Sequence, residues 1–159
     1  MSAAEHRESF TQMTLIDDHE RENARETRQS APLIFYVEDD NDTRRVMLMM
    51  LKRYGYRVIT DPDEESALGR IDNRALSFDL LLLDLGMPPA DALAAAGRIR
   101  EAATLDAQTP AVVIAYKYGA EMDGQDVEDC ENCWVTYLED GEQLERLLGR
   151  LLAPARQAA

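Results

Sequence analysis

The chain has 159 residues, 45% of them hydrophobic and 30% charged, which suits one globular domain with a core of its own and some additional tail. Its formal charge of −14 argues against nucleic acid or an anionic membrane as the main partner and favours a basic protein surface or bound cations. No apolar run approaches the roughly 20 residues of a membrane span, and the N-terminus lacks the pattern of a secretory signal, so a cytoplasmic protein without membrane contact is expected.

Residues 1–31 are rich in Glu, Arg, Asp, Gln and Ser, with too few apolar side chains to offset the entropy of ordering. They read as a flexible charged tail, in which the alternating acids and bases of Asp17 to Gln29 could support a solvated helix. A single domain is expected over 32–153, followed by a short C-terminal tail, 154–159.

Within the domain, Leu33 to Val37 is an apolar run that meets Glu38, Asp39 and Asp40, and it predicts a first strand. Asn41, Asp42 and Thr43 offer N-caps to a helix whose inner face is Val46, Met47, Met50, Leu51 and Tyr54, stopped by Gly55. Arg57 to Thr60 reads as a second strand. A second helix is expected from Asp61-Pro62-Asp63-Glu64, with Asp61 as cap, Pro62 in the first turn and Ala67, Leu68 and Ile71 facing inward.

Phe78 to Pro88 is the centre of the pattern. Four consecutive leucines, 80–83, bounded by polar residues and by Gly86 and Pro88, have the length and punctuation of a strand buried on both faces. Asp84 stands where that strand runs into its loop. Asp91 to Ala103 then reads as a helix with Leu93, Ala96 and Ile99 inward, Ala111 to Ala115 as a fourth strand, and Gly119 to Asp129 as a weak, acidic helix. Trp134 to Leu138 predicts a fifth strand. Asp140 caps a last helix with Leu144, Leu147, Leu148, Leu151 and Leu152 on one stripe, closed by Pro154. The alternation implies an α/β fold, a five-stranded parallel sheet with helices on both faces.

Cys130 and Cys133 are the only cysteines. They precede a strand rather than open a helix, and His6 and His19 lie far away in the tail. A redox pair or a zinc site is therefore disfavoured, and two reduced thiols beside a strand are expected.

In open α/β sheets ligands bind at the carboxyl ends of the strands, which brings Glu38 and Asp39 towards Asp84. Three carboxylates together repel unless some are protonated or a divalent cation joins them, and hard oxygen ligands suit Mg2+. Asp84 could then act as a nucleophile towards a phosphoryl group.

The same residues carry a family resemblance. Leu33-Ile-Phe-Tyr-Val-Glu-Asp-Asp-Asn-Asp-Thr-Arg together with Asp79-Leu-Leu-Leu-Leu-Asp-Leu-Gly-Met-Pro resembles the receiver domain of two-component response regulators. The resemblance implies a flavodoxin-like (βα)5 fold. It makes Asp84 the phosphoacceptor, Asp39 and Asp84 direct magnesium ligands, Glu38 a ligand through water and Gly86 the donor of a backbone carbonyl. It also implies a histidine kinase or phosphotransfer protein as phosphoryl donor and a downstream protein partner; an atypical receiver without an enzymatic or DNA-binding output domain is expected.

Two positions depart from that family. Ala115 replaces the usual Thr or Ser, and Tyr137 and Leu138 replace the usual Lys-Pro. Tyr116 is large where the family is usually small, Lys117 is a candidate substitute for the lost lysine, and Trp134 falls at the aromatic position that changes rotamer on activation. A pseudo-receiver, docking without phosphorylation, is the competing reading. An aspartate-nucleophile phosphatase built on Asp40-Asn41-Asp42 is disfavoured because Arg44 stands where that motif needs a hydroxyl or valine.

Overall fold

The computed structural model describes residues 19–105, 108–116 and 120–157, with side chains to Ala153. These residues divide between Ala31 and Pro32 into two units. In the first, residues 19–30 form helix α1, exposed along its whole length. Along it the Thr27 hydroxyl donates back to the Asn23 carbonyl at 2.7 Å. The rest of the expected tail before residue 19 lies outside the described residues.

The second unit runs β1 (Leu33–Glu38), α2 (Asn41–Arg53), β2 (Arg57–Asp61), α3 (Glu64–Arg74), β3 (Leu80–Asp84), α4 (Pro89–Ala102), β4 (Ala111–Ala115), β5 (Asp126–Cys130), β6 (Cys133–Tyr137) and α5 (Gly141–Gln157). The strands form one sheet in the order β2-β1-β3-β4-β6-β5. Every pairing is parallel except β5 with β6. The chain moves outward from β1 to β2, then crosses back to β3 on the other side of β1. That reversal opens a crevice at the carboxyl ends of β1 and β3.

The central strands are closed to water on both sides. Ile34, Phe35, Tyr36 and Val37 of β1 and Leu80 to Leu83 of β3 are each 0% exposed. Alternation sends Ile34, Tyr36, Leu80 and Leu82 into a core with Met47 and Leu51 of α2 and Leu144, Leu147 and Leu148 of α5. Phe35, Val37, Leu81 and Leu83 face Ala67 and Ile71 of α3 and Ala92, Ala95, Ala96 and Ile99 of α4. Helices therefore cover both faces, as the doubly wound reading expects. Each fully buried leucine contributes about 1.5–3 kcal/mol relative to exposure, and these two layers hold the sheet.

The architecture departs from a five-stranded parallel sheet at one edge. Residues 120–124 turn and Asp126–Cys130 forms an antiparallel edge strand in place of the expected acidic helix. A crossover helix must bury an apolar stripe, and Met122 and Val127 cannot make one. An extended strand can carry the chain back along the sheet while its Glu128 and Asp129 remain in water, and charge on an edge strand discourages pairing with other chains.

The same hairpin corrects the expectation for the cysteines. Cys130 and Cys133 are cross-strand partners with Cα atoms 4.9 Å apart and are joined as a disulfide, not held as two thiols. The connection is only Glu131 and Asn132, and Asn132 adopts a φ of 55°, which Asn tolerates better than most residues. Register across a tight turn brought the sulfurs together, and tetrapeptide spacing alone does not reveal it.

Other expectations shift by small steps. Asp63, not Asp61, caps α3, accepting from the Ser66 amide at 2.7 Å, and Asp61 ends β2 as a buried carboxylate. Val46 is 67% exposed rather than inward, because it lies to one side of the Met47 and Leu51 stripe. Helix α5 is capped by Asp140, which accepts from the Gln143 amide at 2.8 Å, but Pro154 does not close it. The proline removes one amide donor and the helix continues to Gln157.

A buried polar network ties the new edge to the rest. The Thr136 hydroxyl donates to Asp126 Oδ1 at 2.7 Å, and Gln143 Nε2 donates to the same oxygen at 2.9 Å. Gln143 Oε1 accepts the Glu139 amide at 2.8 Å. Gln143→Ala would take one of two donors from Asp126 and the acceptor from the Glu139 amide at once. A loss of about 1–3 kcal/mol is expected, measured as a lower denaturant midpoint, whereas an unchanged midpoint would show that water replaces the amide without cost.

Candidate functional site

Strands β1 and β3 are registered so that Glu38 lies opposite Asp84. Both are last residues of strands whose other members are apolar, so each is carried to the mouth of the crevice while remaining buried, 3% and 4% exposed. Glu38 stands two residues after Tyr36 and so faces the same side of the sheet. The Tyr36 hydroxyl donates to Glu38 Oε2 at 3.0 Å, and the Asp40 amide donates to Oε1 at 2.8 Å. Arg44 of α2 braces the strand end by donating from Nη1 to the Glu38 carbonyl at 2.6 Å and from Nη2 to Asn41 Oδ1.

The buried carboxyls of Glu38 and Asp84 end paired strands side by side and shift one another. Burial pushes Glu38 above the usual carboxylate range, and the contact with Asp84 adds to it. Burial also raises Asp84. Glu38 and Tyr116 pull the other way, and the nearby charge of Asp39 raises it again. Asp39 itself is exposed at the start of the following loop.

Gly86 lies two residues past Asp84 with a φ of 61°. A side chain rarely adopts that conformation, so glycine permits the sharp turn that takes the chain from the strand end towards Pro89 and α4. A third strand-end acid, Asp61 of β2, is withdrawn from any such site. Arg70 grips both its oxygens, Nε to Oδ2 at 2.6 Å and Nη2 to Oδ1 at 2.8 Å.

On the far side, Ala115 ends β4 and faces Tyr137 in the register, so the first position has no hydroxyl and the second no ammonium group. Tyr116 enters the site instead. Its hydroxyl donates to Asp84 Oδ2 at 3.0 Å, while burial and the Asp84 charge raise its own pKa. Lys117, considered as a substitute for the missing lysine, lies outside the described residues. Trp134 sits level with Val112 and Leu82 under the Arg150 guanidinium, 4.9 Å from the ring centroid, well down the sheet from the crevice mouth.

Sequence reasoning missed Tyr36 and Arg44. Tyr36 was legible in principle, because period-two alternation places it on the face of Glu38. Arg44 carries no such signal, since an arginine in the first turn of a helix usually lies in solvent.

Whether this donor set suits a divalent cation can be judged from its surroundings. Among the described residues no three His, Cys, Asp or Glu side chains converge on one point. Two buried carboxylates nevertheless face each other, and the groups that shift them are Tyr36, Tyr116, Asp39 and the Asp40 amide, with no cation among them. Hard, anionic oxygens lacking a positive partner are what magnesium takes.

The model of the response regulator receiver domain family matches residues 34–133, and the chain belongs to that family. Receiver domains are signalling modules of two-component systems. The response regulator receiver protein CpdR of Brucella abortus is 38% identical over 68 residues, covering 43% of this chain and 55% of that protein, so the match spans about half of that relative.

Two solved structures show the shared fold. One is the receiver domain of the sensor histidine kinase PA1611 of Pseudomonas aeruginosa, with a magnesium ion coordinated in its active site cleft. It has a TM-score of 0.55 and 22% identity, covering 77% of this chain and 98% of that one. The other is the complex of the histidine kinase ThkA with the response regulator TrrA, with a TM-score of 0.56 and 22% identity, covering 76% of this chain and 98% of that one.

Among the described residues no helix is long and apolar enough to cross a membrane.

Proposed function

We propose that this chain is an atypical receiver that accepts a phosphoryl group on Asp84, with magnesium held directly by the carboxylates of Asp39 and Asp84 and the carbonyl of Gly86 and through water by Glu38. The observation that carries the reading is the buried, cross-strand pairing of Glu38 with Asp84 at a topological switch point, with no cation among the described groups that shift either carboxyl. Magnesium, when bound, would let these oxygens ionise and would neutralise charge on the transferring phosphoryl group. Glu38, fixed by Tyr36 and the Asp40 amide, holds its carboxyl against Asp84. Gly86 turns the loop away so that a donor can approach.

The phosphoryl donor would be a histidine kinase or phosphotransfer protein, and the output a change in contacts with a second protein. A histidine kinase, ThkA, is bound to the response regulator TrrA, whose fold this chain shares. The charge of −14 makes nucleic acid an unsuitable partner. The chain would act as a cytoplasmic signalling module, not as a catalyst with its own substrate.

Intact mass after incubation with magnesium and acetyl phosphate tests this reading. The gain of one phosphoryl group, blocked by a chelator, is expected. No adduct, together with no magnesium binding by calorimetry, would overturn it in favour of a pseudo-receiver, the reading that Ala115 and Tyr137 favour.

A further inference from the structure

Receiver chemistry needs a carboxylate oxygen of Asp84 free to attack phosphorus, and here one of the two, Oδ2, is held. Glu38 lies opposite Asp84 across the paired strands. Asp84 Oδ2 accepts a hydrogen bond from Tyr116 at 3.0 Å. Tyr116 is the first residue beyond β4, and at 45% exposure its ring lies over the acceptor with one side towards solvent. The same ring helps to wall a groove of about 480 Å³ lined also by Val46, Met47, Met50 and Leu138. Ala115 beside it has no hydroxyl to offer, so the tyrosine is the neutral donor that reaches the carboxyl from this side.

We infer that Tyr116 is a gate on the acceptor, closed when its hydroxyl holds Asp84 Oδ2 and open when the ring swings out towards the groove. This rests on the reading of Asp84 as phosphoacceptor. In the step that is gated, an oxygen of the Asp84 carboxylate attacks the phosphorus of an acyl phosphate. A new P–O bond forms, the P–O bond to the acyl oxygen breaks with its electron pair, and the carboxylate of the donor leaves. No proton moves to or from Tyr116.

The hydroxyl opposes that step in two ways. It withdraws electron density from the attacking oxygen, and it fills the space the phosphoryl group must enter. A hydrogen bond to a charged group is among the stronger ones, so its removal should be visible as a rate. The gate also gives the site a surface readout that does not depend on the missing hydroxyl and lysine, because its position sets one wall of the groove.

The test compares wild type, Tyr116→Phe, Tyr116→Ala and Asp84→Asn for the initial rate of phosphoryl uptake from acetyl phosphate at fixed magnesium, by intact mass. Circular dichroism confirms that each is folded. Tyr116→Phe, which keeps the ring and loses only the hydroxyl, is expected to be about tenfold faster than wild type, with Tyr116→Ala at least as fast and Asp84→Asn inert. Equal rates for wild type and Tyr116→Phe would overturn the gate while leaving Asp84 as acceptor. A slower Tyr116→Phe would also overturn it, by showing that the hydroxyl assists the transfer. No adduct on wild type or on either Tyr116 variant would remove the acceptor reading and the gate together.

Discussion

Asp84→Asn is expected to abolish phosphoryl uptake and, in the absence of metal, to stabilise the fold. Loss of uptake follows because an amide oxygen is a poor nucleophile and cannot form an acyl phosphate. The gain in stability comes from what Asp84 costs. It is 4% exposed, packed against a second buried carboxyl, and no cation is among the groups that shift its pKa. Asparagine has nearly the same shape, keeps an oxygen to accept from Tyr116, and carries no charge to desolvate.

The sign with pH follows from the same facts. Burial raises the folded pKa of Asp84 above its unfolded value. Its contribution to stability is therefore fully present at acid pH and is lost as pH rises through the folded pKa. The advantage of Asn should be small in acid and grow towards neutral pH, reaching on the order of 1 kcal/mol. Urea denaturation of both proteins in a chelator, at acid and at mildly alkaline pH, measures it. A variant less stable than wild type at alkaline pH would mean that Asp84 is held by a favourable charge interaction, contrary to the surroundings described above.

The second large effect is on the core. Leu82→Ala should cost about 2–5 kcal/mol, because the site combines lost transfer energy with a cavity that cannot collapse. Leu82 is 0% exposed in β3, with β1 on one side and β4 on the other. Its side chain lies in the layer shared with α2 and α5. Against a total stability of about 5–15 kcal/mol that loss is a large share. Met49→Ala on the same side is the control: Met49 is 72% exposed, so a change within about 0.5 kcal/mol is expected. Denaturant midpoints of the two variants decide the point, and equal effects would mean that the layer is not closely packed.

Much of the fold could be read along the chain because its strongest signals are local. A parallel strand covered on both faces is an uninterrupted apolar run, and 33–37, 80–83 and 111–115 are such runs between polar residues. Helix α5 announced itself through leucines at 144, 147, 148, 151 and 152, and Asp140 caps it. The acidic segment before β6 had no comparable signal. Asp126 to Cys130 has no intrinsic bias towards a strand, and its conformation comes from pairing with β6. The cap of α3 moved from Asp61 to Asp63 for a related reason: β2 runs on to Asp61, where Arg70 neutralises a carboxylate that would otherwise be buried alone.

By itself, the sequence determined the order of most elements, the doubly wound class and the presence of acids at the ends of β1 and β3, since all three follow from patterns over a few neighbouring residues. Tertiary structure alone decided the rest. Cross-strand register set Glu38 against Asp84 and brought Cys130 to Cys133. The path of the chain beyond β4 carried the Tyr116 hydroxyl to the acceptor. These are distances between residues far apart in sequence or across a turn, and no local preference encodes them.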